Sequence, residues 1–424
     1  MRSWSQNGHR AGAIGIWCLL VSSLLGVPSV ASCRNDAMRS MRAYLAPNSI
    51  VIPSAADGAF EIPAHAFKDT IDGYDVILTG ETHGMAINYA LRRAFLSYLK
   101  EAIDIKYLLL ELAPSRAAVL NRYLETGDAA LLDEMYSYAK GTYEWTQESY
   151  AFWQEVYAFN RTLAPERRLT CVGVDIEHQA AHALAHLRTL LPDGAPPAQI
   201  SSTIARIRAF TRDDTTGFDV AAMLSASIET DEERYERYLG ENLFDFRLTV
   251  ESMLAARAAY GARRSGGGRV AFRRLRDAAM YANFVQFHDR LPAGRYWGHF
   301  GGSHIFHRSS EDTEWFGALL ESDDSPVAGG VLSIYFAYER CTAMIRNGGA
   351  YGTSPAANVL PGLFDFYGGS RPVLFKLTGK NSPARHYQAV LHSDPGGSAE
   401  YFDYLVLIRN ATPTRPLGTS DDQD

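Results

Sequence analysis

The chain has 424 residues with 46% hydrophobic, 21% charged and 12% aromatic content, which excludes a disordered, collagen-like or coiled-coil protein and allows one large domain or two average ones. Lys and Arg total 41 against 48 Asp and Glu, a net charge of −7, and without basic clusters no nucleic-acid partner is expected. Four cysteines over this length exclude a disulfide scaffold.

The first element is an address. Arg2 and Arg10 precede an apolar run from Ala11 to Val27, followed by the small residues Ser29, Val30, Ala31 and Ser32. This layout predicts a signal peptide over residues 1–32 and an exported protein, periplasmic, lipid-anchored to a bacterial envelope, or secreted. The run is short for a permanent span, although an uncleaved anchor is the alternative. Ser29 and Ala31 suit cleavage after Ala31. Val30-Ala31-Ser32-Cys33 equally resembles a lipobox, in which a lipid on Cys33 would tether the chain to the membrane. Cys171 sits in the apolar run Leu169–Val174 and is expected to be buried and inert. No CxxC or Cys/His metal spacing occurs.

Short β-rich apolar runs then alternate with helical patterns. The predicted strands are Tyr74–Gly80, Lys106–Glu111, Leu169–Asp175, Arg295–Gly301, Gly330–Tyr338, Pro372–Leu377 and Asp403–Ile408. Ile87, Leu91, Phe95 and Leu99 recur at helical spacing after the first, and Ala117–Gly127 and Gln147–Leu163 carry apolar stripes after the second. The alternation predicts an α/β fold with a mainly parallel central sheet flanked by helices. From 201 to 286 only helical periods occur, which predicts an inserted helical subdomain forming a cleft wall. It divides the core into 33–200 and 287–417, and 418–424 is expected to be a disordered tail. Arg263–Arg269 (RRSGGGR) is read as a flexible basic loop within the insert.

Ionisable residues gather where these strands end, the place at which open parallel sheets bind ligands. The first strand ends in Gly80-Glu81-Thr82-His83-Gly84 and the second in Glu111. The third ends in Asp175, then Glu177 and His178. The fourth contains His299 and leads into Gly301-Gly302-Ser303-His304. Each has a plainer alternative. Glu81 reads also as a surface acid, Glu111 as a structural buried acid, Asp175 as a helix cap, and His299 as a satisfied core histidine. Arg92, nine residues after His83, reads either as a site residue or as an exposed helix arginine. His182 and His186 stand at i, i+4 without an HExxH context and are read as helix surface.

Taken together, ILTGETHG, KYLLLELAPS, YEWTQESYAFWQEVYAFNR, LTCVGVDIEH, RLRDAAMYANF, WGHFGGSHI and FDYLVLIRNATPTRPL resemble, in order, the motifs of the erythromycin esterase-like family. The wider superfamily includes ChaN-type lipoproteins and TIKI-type hydrolases. The single residue between Glu81 and His83 is the spacing of the ChaN and TIKI branch, and Gly-Gly-Ser-His resembles that branch too. The resemblance implies a hydrolase of a small-molecule ester or lactone, with His83 as general base on water and no covalent serine intermediate. Glu81 or Glu111 would orient His83, and Arg92 or His304 would support the oxyanion, with His299 also carried over. No G-x-S-x-G elbow occurs, which counts against an ordinary serine hydrolase. No cofactor is expected on this reading. The alternatives are a divalent-metal hydrolase or peptidase of TIKI type, with Glu81, His83, Glu111 and His304 as ligands, and a ChaN-like haem- or iron-binding lipoprotein.

Overall fold

The structure, a computed structural model, describes residues 30–55, 58–67, 70–211, 217–347, 350–391 and 394–418. Of the segment expected to be a signal peptide, residues 1–29 lie outside the described residues, as do residues 419–424 of the expected tail and the surroundings of the Cys33 side chain. Among the described residues no helix is long and apolar enough to cross a membrane.

An eight-stranded sheet runs through the molecule. Its strands are β1 (Ser49–Val51), β2 (Val76–Glu81), β3 (Tyr107–Leu110), β4 (Thr170–Gly173), β5 (Tyr296–Gly301), β6 (Val331–Glu339), β9 (Val373–Lys376) and β10 (Tyr404–Arg409). Two more strands, β7 (Cys341–Asn347) and β8 (Ala350–Ala356), form a separate hairpin. The sheet order is β1-β9-β10-β6-β2-β5-β3-β4. From β10 to β4 every pairing is parallel, and β9 joins both its neighbours antiparallel. All seven predicted strands are present. The sequence reading lacked β1, which is only three residues long, and the hairpin. β8 is polar and largely exposed, so it carries no apolar signal.

Side chains alternate across a strand, so both faces of a parallel sheet must be covered. On one face Ile77, Leu108, Leu110, Trp297, Ile334 and Phe336 pack under α2 (Ala86–Ile103), α3 (Pro114–Thr126), α4 (Ala129–Ala139) and α5 (Gln147–Thr162). These helices have recognisable ends. Pro114 opens α3 and Gly127, at φ +72°, closes it. Asp128 accepts from the Ala130 amide to cap α4, and Thr146 accepts from Ser149 to cap α5, as short polar side chains do at helix starts. On the other face Val76, Leu78, Leu109, Tyr296 and Phe300 meet α1 (Val30–Leu45), α11 (Gly268–Arg290) and α12 (Phe316–Leu320).

Between β4 and β5 the described chain is helical. It comprises α6 (Ala180–Thr189), α7 (Ser201–Ala209), α8 (Gly217–Thr230), α9 (Glu232–Leu239), α10 (Leu243–Ala262) and α11. Leu184, Leu187, Ile204, Ile207, Leu224, Tyr235, Phe246 and Met253 form a core of their own. Four details differ from expectation. α6 already belongs to this core, and α11 runs on to Arg290. The glycine-rich segment is not a loose loop but a tight π-type turn over Arg263–Gly267, where Gly266 takes φ +101°. His182 and His186 are not on the surface either. Both are buried, because α6 is covered by α3 as well as by the helical core. Burial holds their pKa down to about 3 and about 4, with the charges of Arg116 and Arg122 adding to the effect, so both imidazoles are neutral.

Candidate active site

The carboxyl ends of β2, β5, β3 and β4 lie side by side, and a cleft of about 500 Å³ opens over them. Its floor starts in the loop after β2. Gly84 takes φ +88°, a backbone that suits glycine, and a Cβ there would lie 2.3 Å from the Met344 carbonyl. Asn88 donates to the Thr82 carbonyl at 2.9 Å, and Tyr338 donates to Asn88 at 2.8 Å. The turn that presents His83 is therefore held from α2 and β6 at once.

Glu81 joins two histidines. Its Oε1 lies 2.9 Å from Nδ1 of His83, and its Oε2 lies 2.6 Å from Nε2 of His299. His299 Nδ1 is 2.8 Å from the Thr79 hydroxyl. Burial lowers the pKa of His299 despite the carboxylate beside it. The Thr79 hydroxyl itself donates to the Gly298 carbonyl at 3.0 Å. Burial alone would raise the pKa of Glu81, but His299 and His83 hold it well below the usual carboxylate range. Burial would lower His83, yet the Glu81 hydrogen bond and the charges of Glu111 and Glu81 raise it to about 9. The His83 side chain is 39% exposed, so solvent screens part of that effect.

Across the cleft floor Glu111 receives the Gly301 amide at 2.6 Å on Oε2 and Arg276 at 2.7 Å on Oε1. Arg276, from α11, also donates through Nε and Nη2 to the two oxygens of Asp175 at 2.8 and 2.6 Å. It reaches Nε2 of His304 at 3.1 Å. His304 in turn is 2.7 Å from Asp277 through Nδ1. Asp277 and Glu111 raise the pKa of His304 against the effect of burial. Burial opposes ionisation of Glu111, but His304, Arg276 and His83 bring its pKa down to about 2. Asp175 is lowered against the same opposition, by Arg276 and His178. It therefore serves as an anchor for Arg276 more than as a helix cap.

The two halves meet at Gly301. A Cβ placed there would lie 3.3 Å from His83 Nε2 and 3.5 Å from Glu111 Oε2. Glycine thus keeps open the space between the imidazole and the carboxylate. Above them stand Tyr143, whose ring is 5.6 Å from His83, and Arg346 from the β7–β8 hairpin, 5.6 Å over the Tyr143 ring. Arg92 lines the cleft from α2. Its guanidinium lies 4.2 Å over Phe152 and 5.2 Å from the Tyr89 centroid, and its buried Nε has no hydrogen-bond partner.

The structure brings Glu81, His83, Glu111, Arg92 and His299 into this cleft, with His304 one layer behind, against Arg276. Arg276 and Asp277 were not singled out from the sequence, although they stand in the motif RLRDAAMYANF. An arginine in mid-helix carries no signal of burial by itself. The four alternative ligands do not fit a divalent ion. Glu81 is taken up by two imidazoles, and the fixed charge of Arg276 stands between Glu111 and His304. Among the described residues no three His, Cys, Asp or Glu side chains are grouped to hold a metal.

The architecture is an α/β fold shared with several solved structures. One is a succinoglycan biosynthesis protein, at TM-score 0.65 and 14% identity, covering 91% of this chain and 99% of that one. A Bacillus cereus protein matches at 0.64 and 14%, over 90% and 98%. A histidine-to-asparagine mutant of an erythromycin esterase in its open conformation matches at 0.60 and 14%, over 83% and 93%. The chain therefore shares its fold with these three proteins. No family model and no curated protein matches the sequence.

Proposed function

We propose that this protein is an exported hydrolase of a small-molecule ester or lactone, in which His83 activates water directly. The observation that carries the reading is the Glu81–His83 pair. The carboxylate holds Nδ1 and leaves Nε2 facing the open space at Gly301. In its neutral form His83 accepts a proton from water at Nε2 as the oxygen attacks the ester carbonyl. Glu81, itself held by His299, stabilises the imidazolium that results. Arg276, on the cleft floor beside Glu111, would stabilise the oxyanion, a contribution worth about 3–4 kcal/mol for a well-aimed donor. When the tetrahedral intermediate collapses, the imidazolium returns its proton to the leaving alkoxide. His304, with its ring between Asp277 and Arg276, positions the guanidinium and does not itself reach the reacting atoms. The helices α10 and α11 wall the cleft through Tyr260 and Arg276.

The donor arrangement around Arg276 favours a reaction without a metal ion over the peptidase alternative. The membrane tether through Cys33 is part of the same proposal only if the lipobox is used. A panel of esters and lactones tests the reading, with wild type and His83→Ala compared. Wild type is expected to turn over at least one, and the mutant to lose about 10²–10⁴ of the rate, the usual contribution of a general base. A wild type inert on the whole panel, or a mutant of equal rate, refutes it.

A further inference from the structure

The charges of the cleft do not cancel locally. Each carboxylate that lines it is already engaged. Glu81 is held by two histidines. Glu111 and Asp175 share Arg276, and Glu144 forms an ion pair with Arg116 at 2.9 Å, although without hydrogen-bond geometry. Arg92 and Arg346 also line the cleft, and among the described residues neither meets a carboxylate. Arg92 rests on the faces of Tyr89 and Phe152, with a buried Nε unmatched. Arg346 rests over Tyr143, whose ring neighbours His83. A ring face orients a guanidinium and leaves its N–H groups free for a planar oxyacid. These two arginines enter from different elements, α2 and the β7–β8 hairpin, on a floor whose acids are paired.

We propose that the substrate carries an oxyanionic group, a carboxylate or a phosphate, near its scissile ester, and that Arg346 together with Arg92 receives it. This rests on the ester hydrolase reading and names its substrate class. A cationic or neutral ester would leave both guanidiniums unmatched beside it. Arg346 is exposed and supplies selectivity that salt screens. Arg92 is more enclosed and is screened less.

Three nitrophenyl esters of similar size test this: the butyrate, the glutarate half-ester, and the aminobutyrate, which are neutral, anionic and cationic. Wild type is expected to prefer the half-ester to the butyrate by about tenfold or more in kcat/KM, equivalent to one good charge contact. The aminobutyrate is expected to be the poorest of the three. Arg346→Gln should collapse the half-ester to butyrate ratio towards one, mainly through KM, and Arg346→Lys should keep most of it. Equal rates for all three esters, or a ratio untouched by Arg346→Gln, overturn the proposal. Calorimetric titration of glutarate and of inorganic phosphate into His83→Ala separates this from the chemistry. Saturable binding that Arg346→Gln weakens supports the anion site even if no ester is cleaved, and the tighter ligand identifies the oxyacid. Failure of both ligands to bind overturns it even if esters are cleaved.

Discussion

At the scale of residues, the site works by setting titratable groups against one another. His83 must be neutral to accept a proton, yet Glu81 and Glu111 raise its pKa to about 9. The base form is therefore the minor one at neutral pH. The expected kcat/KM climbs by nearly tenfold per pH unit from about 6 to 8 and levels off near 9. A profile already flat above pH 7 would show that the acids do not govern His83. Glu177 behaves in the opposite sense. Burial pushes its pKa from 4.5 up to about 7, despite hydrogen bonds from the Ser115 amide and hydroxyl and the charge of Arg116. A raised acid gives its stability below its unfolded pKa and loses it as pH rises through the folded one. Glu177→Gln should thus change little at pH 5 and stabilise by on the order of 2–3 kcal/mol at pH 8. Thermal melts of both proteins at the two pH values check this, and an equal shift at both would contradict it.

At the scale of elements, the site depends on where strands stop. In register, Glu81 pairs with Gly301 and Thr79 with His299, so all four lie on one face, with Glu111 emerging just past β3. Gly301→Ala would place a methyl against His83 Nε2 and Glu111 Oε2. Its backbone, at φ −54°, tolerates alanine. The expected result is a fall in kcat of about tenfold or more with little loss of melting temperature; unchanged kcat would show the space at Gly301 to be idle. These strand ends were legible because each buried strand is a short apolar run and an acid or histidine follows it at once. Arg276 was not legible in that way. Its significance comes from α11 docking on β4, where Asn283 donates to the Val174 carbonyl at 2.9 Å. That docking turns what reads as a solvated arginine into the partner of Glu111 and Asp175. The same limit applied to His182 and His186, where i, i+4 polarity suggests a free surface and α3 removes it. The hairpin was hidden for the converse reason. Its second strand is exposed, so polar residues stand where an apolar run would mark a strand, yet its first strand brings Arg346 to the cleft.

At the scale of the whole molecule, distant segments close the site. The segment after β10 accepts from the Ala86 amide at Thr412 and donates from Thr414 to the Gly84 carbonyl at 3.0 Å. It also accepts from Gln147 at Arg415. It therefore ties the His83 loop to the start of α5. Deleting residues 412–424 removes none of the charged site residues, but it should lower the melting temperature by roughly 5 °C or more and abolish ester hydrolysis. Retention of full activity would mean that the loop holds its shape without the tie.

The position of β5 has a consequence for dividing the molecule. It lies between β2 and β3, although the chain reaches it only after the whole helical segment. Until Tyr296–Gly301 arrives, β2 and β3 have a vacant lane between them, and sequence-distant pairing of this kind is slow to form. The tight turn at Arg263–Gly267 falls just before that lane is filled. A cut there leaves His83, Glu111 and Asp175 on one fragment, and Arg276, His299 and Gly301 on the other. Neither piece holds a complete sheet or a complete site. Two such fragments, each fused to one of two interacting partners, would form a split reporter whose turnover signals their reunion.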